Sequence, residues 1–333
     1  MSKNKATGNT SLLKTIIALA IIIFLALVPM MGLGSYNMLI CCLICIYVIS
    51  TSGLDILFGY SGQISMGHAA FYAIGAYGSA IFSKLCGLSP WLSMPLAAVI
   101  AAIIGFLFAL PISKLKFMFL SLVTTGFGEV VYQIIVNFWP EVFGSTAGFK
   151  KIPKFEFFGL VIKDRSHYYL LVLAIALIML LIKHMIIESK VGRAFIAVRE
   201  STEAAGAMGI NTTYYKSLAF AISAFYVSIA GSLYAHMIGY ISPETYVRAT
   251  SVMFLTIVLL GGRGSFSGPI IGSVILIICT EMIQAFGRYQ QLIYGLFIII
   301  VVLFMPKGIA GAIGGIIHRI RVIRQERRNQ NVT

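Results

Sequence analysis

The stretch His167-Tyr168-Tyr169-Leu170-Leu171-Val172-Leu173-Ala174-Ile175-Ala176-Leu177-Ile178-Met179-Leu180-Leu181-Ile182-Lys183-His184-Met185-Ile186-Ile187 decides what kind of fold this chain can have. From Tyr168 to Ile182 it carries no charge. About 20 apolar residues in a helix match a bilayer core of about 30 Å. In hydrocarbon the backbone must satisfy its own N–H and C=O groups, which a helix does. The stretch therefore reads as a membrane helix, and it runs straight into a polar, charged and helix-prone connection, Glu188–Tyr215.

Working outward, the same rule picks out ten segments: Leu12–Met31, Tyr36–Leu57, Gln63–Phe82, Trp91–Ile112, Phe117–Trp139, His167–Ile187, Ser217–Ile238, Ser251–Leu260, Pro269–Phe286 and Gln291–Phe304. The third is rich in Gly and Ala, and the eighth is short. The first follows Lys3, Lys5 and Lys14 in the manner of a signal peptide, but Pro29-Met30-Met31 supplies no small-residue cleavage site, so it reads as a retained helix.

Composition agrees. Hydrophobic residues make up 59% of the 333 and charged residues 11%, against about 25% charged in an average soluble domain. This is too little charge to cover a soluble surface. The chain reads as an all-α polytopic membrane protein with about ten transmembrane helices, some broken or short. The net charge of +14 then reports loop topology rather than nucleic-acid binding. With the amino terminus inside, seventeen basic residues fall on the inner side, among them Lys183, Lys190, Arg193, Arg199 and Lys216, and eight fall outside. That bias follows the positive-inside rule. The domain map is an inner tail 1–11, a membrane region 12–316 with an outer loop 140–166 and an inner loop 188–215, and a basic inner tail 317–333. The run Arg319–Arg328 reads as a topology anchor that attracts anionic lipid.

Two glycine-rich stretches break the apolar pattern: Phe58-Gly59-Tyr60-Ser61-Gly62-Gln63-Ile64-Ser65-Met66-Gly67-His68 and Gly261-Gly262-Arg263-Gly264-Ser265-Phe266-Ser267-Gly268-Pro269. Broken helices can line a solute path; glycines can equally serve close helix packing. Polar groups at membrane depth are costly. Gln63, Ser65, His68 and Glu129 are therefore the candidate path residues. Asp55, Glu129 and Glu281 each stand open to two readings, an ion pair or an aqueous path.

Other chemistry is poorly supported. Cys41, Cys42 and Cys45 sit one helical turn apart, as packing residues would; with Cys86 and Cys279 they form neither a metal pattern nor a disulfide framework. There is no HExxH and no Walker A, so the chain is expected to have no catalytic residue, cofactor, metal or nucleotide site of its own. Gly59-Tyr60-Ser61-Gly62 and Ala235-His236-Met237-Ile238-Gly239 match fragments of intramembrane serine proteases. The topology places that Ser and His at opposite faces, on the order of 30 Å apart, too far for a dyad.

The inner loop is the most informative polar segment. Gly192–Ile210 reads as a short helix closed by glycine, with Ser201-Thr202 as an N-cap option and Gly209 suited to a left-handed C-cap. Ala204, Ala205, Gly206 and Ala207 leave a slim face that fits a groove on another protein. Glu203, Ala204, Ala205 and Gly209 match the EAA loop of ATP-binding cassette importer permeases. Gly53-Leu54-Asp55, the first glycine-rich break, Gly126-Phe127-Gly128-Glu129, Gly192-Arg193-Ala194, Ala230–His236, Ser242-Pro243, Leu260-Gly261-Gly262 and Phe304–Gly308 add to the match. From about Tyr36 to Gly311 the sequence closely resembles the LivM-type permease subunit of branched-chain amino-acid ABC importers.

The resemblance implies a cell-membrane protein of the ABC importer permease type with both termini cytoplasmic. Its partners would be a homologous LivH-type permease, two cytoplasmic ATPase subunits and an extracytoplasmic solute-binding protein. Arg199, Glu203, Ala204, Ala205 and Gly209 would couple to the ATPases. The same permease branch also serves urea, short-chain amides and other small polar solutes, and an ion-coupled secondary transporter is the distant alternative.

Overall fold

The computed structural model describes residues 23–32, 34–115, 117–157, 160–162, 164–304 and 308–309. Most of the first expected span, the two tails with the Arg319–Arg328 run, Lys116, Phe158, Lys163 and Met305–Lys307 lie outside the described residues. The described chain is helical almost throughout: α1 Ser35–Asp55, α2 His68–Lys84, α3 Pro90–Ile112, α4 Phe117–Gln133, α5 Arg165–Glu188, α6 Lys190–Glu200, α7 Thr202–Ala207, α8 Thr212–Ile238, α9 Arg248–Gly261, α10 Gly268–Gln284 and α11 Gln290–Phe304. Among the described residues, five helices are long and apolar enough to cross a membrane: Ser35–Tyr60, Pro90–Ile112, Phe119–Phe138, Arg165–Glu188 and Thr212–Ile238.

The side-chain pattern of α3 shows which solvent it faces. Leu92, Leu96, Val99, Ile103, Leu107 and Leu110 recur at helical spacing and are exposed, whereas Ala97, Ala98, Ala101 and Ala109 on the opposite face are buried. Large residues point outward and small ones inward. That is the membrane arrangement, where packing between backbones rather than escape from water holds helices together. The hub is α8, buried along most of its length against α1, α2 and α3. A Cβ on Gly75 of α2 would lie 2.1 Å from the Ser228 carbonyl oxygen, and one on Gly231 of α8 would lie 2.0 Å from that of Tyr72. The two backbones touch, and Ser232 Oγ donates across the seam to the Gly75 carbonyl at 2.9 Å.

Several sequence expectations shift. The third segment begins its helix at His68, not Gln63. α1 passes through a π-helical turn, Ile56–Tyr60. Gly62 then takes a left-handed φ of 75°, which ends the helical run, so Ser61–Gly67 forms a nonhelical break. The connection Glu188–Tyr215, expected on the inner side, is almost wholly helical. α5 reaches Glu188, and α8 already starts at Thr212, capped by Asn211 Oδ1 accepting from the Tyr214 amide at 3.0 Å. The loop expected on the outer side, 140–166, is built as well: β1 Phe149–Lys150 pairs antiparallel with β4 Tyr240–Ile241, and β2 Glu156–Phe157 pairs with β3 Leu160–Val161. Phe155 is buried under it, against the rings of Trp91, Tyr168 and His236.

Candidate functional site

The single inner helix expected over Gly192–Ile210 is two helices, because Ser201 is extended (φ −157°, ψ 113°) and turns the chain between α6 and α7. Its hydroxyl accepts from the Ala204 amide at 3.1 Å. That local bond offers the backbone an alternative to continuing the helix. α7 then ends as expected at glycine. Gly209 has φ 83°; its amide donates to Gly206 O at 3.0 Å and the Ile210 amide donates to Ala205 O at 3.0 Å. These two bonds form a Schellman closure. Ala205 is buried, whereas Glu203, Ala204, Gly206, Ala207 and Met208 are exposed. Met208 is 83% exposed, so this tip projects from the rest of the chain.

Arg199, at the end of α6, turns back toward the membrane helices. Its Nη1 donates to the Gly59 carbonyl at 2.7 Å, and its Nη2 pairs with Glu200 at 2.6 Å. Gly59 belongs to the turn that ends α1, beside Asp55. Asp55 Oδ2 accepts from Lys183 Nζ at 2.9 Å, with both side chains 0% exposed, and Oδ1 accepts from the Gly264 amide at 2.7 Å. The two glycine-rich stretches thus meet. A Cβ on Gly59 would lie 2.1 Å from Asp55 Oδ1 and 2.3 Å from Gly264 N, so only glycine fits. One cluster therefore ties together α1, α5, α6 and the loop between α9 and α10. Lys183, counted by sequence among the inner-loop charges, is instead fully enclosed, its charge balanced by Asp55.

Gln63, Ser65 and His68 come together in the first break. Gln63 Nε2 donates to Ser61 Oγ at 2.7 Å and to Lys216 O at 3.1 Å. His68 Nδ1 lies 2.8 Å from Ser65 Oγ and Nε2 lies 2.7 Å from Ser223 Oγ. The His68 ring is 0% exposed and sits between Phe71 and Phe220. Both ring nitrogens are satisfied. Glu129 stands apart from these three, on α4. It lines a cleft of about 600 Å³ between α4, the break before α2 and the start of α9, bordered by Met66, Leu122, Tyr246, Val247 and Arg248. Gln133 donates to Glu129 Oε1 at 3.0 Å, and Asn137 donates to Gln133 at 2.7 Å. Glu281, the third carboxylate, accepts from the Tyr36 hydroxyl.

The protease-like fragments do not meet. Gln63, bonded to Ser61, reaches the Lys216 end of α8, and His236 lies twenty residues further along that helix, about 30 Å away. His236 Nδ1 is 2.6 Å from the Pro153 carbonyl instead.

A family profile described as the permease component of branched-chain amino acid transport systems matches residues 36–303. The chain belongs to this permease family. It is 32% identical over 325 residues to the high-affinity branched-chain amino acid transport system permease protein LivM of Salmonella typhimurium, spanning 91% of this chain and 76% of that protein. To LivM of Escherichia coli it is 31% identical over the same shares. To LivH of Escherichia coli it is 27% identical over 286 residues, 80% of this chain and 91% of that protein. No solved structure matches.

Within this permease, sequence reasoning missed three things. It did not pair Asp55 with Lys183, because 128 positions separate them. It gave Arg199 no partner within the chain, although one arm of its guanidinium grips Gly59. It also counted Arg248 only as one of the eight basic residues of the outer loops, although the residue borders the same cleft as Glu129. The one available signal was its place directly before an apolar segment.

Proposed function

We propose that this chain is a transmembrane permease subunit of an ATP-driven importer for branched-chain amino acids. It would work in the cell membrane beside a homologous LivH-type permease, two cytoplasmic ATPase subunits and an extracytoplasmic binding protein. The observation that carries the reading is the α6–α7 pair: an exposed small-residue tip whose root is bonded into the membrane helices. The inner side is then the side of α6 and α7, and the folded loop 140–166 faces the binding protein.

Glu203, Ala204, Ala205 and Gly209 shape the tip that enters a groove of an ATPase subunit. Glu203 sets its orientation by charge, and Gly209 lets the chain turn sharply behind it. Arg199 acts one step later. When the ATPases close, displacement of α6 pulls on the Gly59 carbonyl and, through Asp55, on α5 and the 261–268 loop. The break holding Gln63, Ser65 and His68 is the joint that moves, and Glu129 lies on the path beyond it. The names of the relatives support branched-chain amino acids as the solute.

The assembled transporter in proteoliposomes tests this. Glu203→Ala and Gly209→Leu are expected to leave the complex assembled while lowering leucine uptake per ATP hydrolysed. Unchanged coupling in both variants would remove the tip from this role. Uptake competition among leucine, valine and urea distinguishes the proposed solute from the small amides handled by the same branch of permeases.

A further inference from the structure

The cleft beside α4 carries more information than a path for an unspecified solute. Its charged lining residues are one carboxylate, Glu129, and one guanidinium, Arg248. Neither has an ion-pair partner within 4.0 Å among the described residues. Opposite charges left apart in a membrane cleft are expensive, and a neutral solute such as urea would need neither.

We propose that this cleft is a subsite for an amino-acid zwitterion. Glu129 receives the α-ammonium group, and Arg248 receives the α-carboxylate. The proposal rests on the import reading above and specifies the chemistry of its path.

Three further observations place the poles. Two helices start at the cleft: α9 begins with Arg248 itself, and Ala69, in the first turn of α2, lines the wall. The Ala69 amide already donates to Ser251 Oγ at 2.7 Å, whereas Val247, the N-cap of α9, supplies no side-chain cap, so the positive end of α9 favours an anion beside Arg248. On the α4 side the amide donors run from Asn137 through Gln133 to Glu129. The carboxylate is thus the acceptor end of the chain, as an ammonium partner requires. Between the poles, Met66, Leu122 and Val247 give apolar wall for an aliphatic side chain. The volume falls within the range of small-molecule sites. Tyr246, 3% exposed, also lines the cleft, and its hydroxyl meets no hydrogen-bond partner among the described residues.

The test uses the complete transporter in proteoliposomes with radiolabelled leucine. Glu129→Gln and Arg248→Gln are each expected to cut uptake by about tenfold or more, the scale of losing a hydrogen bond to a charged group. Glu129→Asp and Arg248→Lys, which keep the charge, should recover most of it; a merely structural role predicts no such rescue. Thr125→Cys on the cleft wall gives a direct reading through its rate of labelling by a membrane-impermeant thiol reagent, with the parent chain and its exposed Cys86 as background. Leucine should slow that labelling. Isoamylamine and 4-methylpentanoate, each lacking one pole, should not. Wild-type leucine uptake by both Gln variants, or equal protection by the single-pole analogues, overturns the subsite while leaving the import reading intact. A wild-type assembly that imports urea and no leucine overturns both.

Discussion

Asp55 and Glu129 are both carboxylates on membrane helices, and their surroundings are opposite. Asp55 is enclosed, with one oxygen on the Lys183 ammonium and the other on the Gly264 amide. Glu129 is exposed to a cleft, held on one side by Gln133 and sharing that cleft with Arg248, which has no ion-pair partner among the described residues. The contrast teaches that a charge at membrane depth has two separate uses. Fully paired, it fixes how helices meet. Left unpaired in a cavity, it is available to a solute.

The largest expected effect breaks the paired side. Asp55→Ala leaves a buried ammonium alone, a loss of about 3–5 kcal/mol in comparable buried pairs. The chain should fail to accumulate in membranes, as read by size-exclusion chromatography of solubilised protein. Replacing both partners, Asp55→Leu with Lys183→Met, should restore accumulation, because removing the whole pair removes the stranded charge. If the double variant is no better than the single, the pair is not the source of the loss. Next in size is Gly59→Ala, whose methyl would collide with Asp55 Oδ1 and Gly264 N. Overpacking of this kind costs about 1–3 kcal/mol, and a lowered midpoint of thermal unfolding in detergent is the readout.

Arg199→Gln comes third. It loses the charged donor to Gly59 O at the rim of the same cluster, where half-exposure weakens the bond. A stability loss of about 1 kcal/mol is expected, with a clear rise in ATP hydrolysed per leucine moved. An unchanged ratio would show that α6 transmits its motion by another contact. Ser201→Ala removes the cap at the α6–α7 turn for about 1 kcal/mol, read as faster hydrogen exchange confined to 202–208. The smallest effect belongs to the open side. Glu129→Gln should change thermal stability by no more than about 0.5 kcal/mol, since no folded contact depends on its charge. A large destabilisation would erase the distinction between the two carboxylates.

Much of the fold was legible because its signals are local. Length and apolarity marked α3, α5 and α8 to within a few residues. Ser201 and Gly209 announced a cap and a closure that α7 uses. The EAA pattern was likewise local, and the exposed tip is where it lies. Local reading failed at the breaks. Gln63 opens the third expected segment, yet the left-handed Gly62 ends the helical run before it and the next helix begins only at His68, just after Gly67 passes close to the Thr124 carbonyl. His68 looked like a path residue because it is polar; only its enclosure by Ser65, Ser223 and two phenylalanines shows how fully it is satisfied.

The sequence by itself determined that this is a helical membrane protein, where its apolar helices run and which polar segment carries the EAA-like pattern. Backbone hydrogen bonding within a helix and apolar length depend on neighbours in the chain, so composition and spacing suffice for both. Only the tertiary structure decided which carboxylate is bound up and which is open, that Lys183 belongs inside and that Arg199 grips the first break. Those outcomes depend on which side chains the packing of α1, α5 and α6 brings within hydrogen-bond reach, and residues 128 and 140 positions apart leave no mark of that on the local pattern.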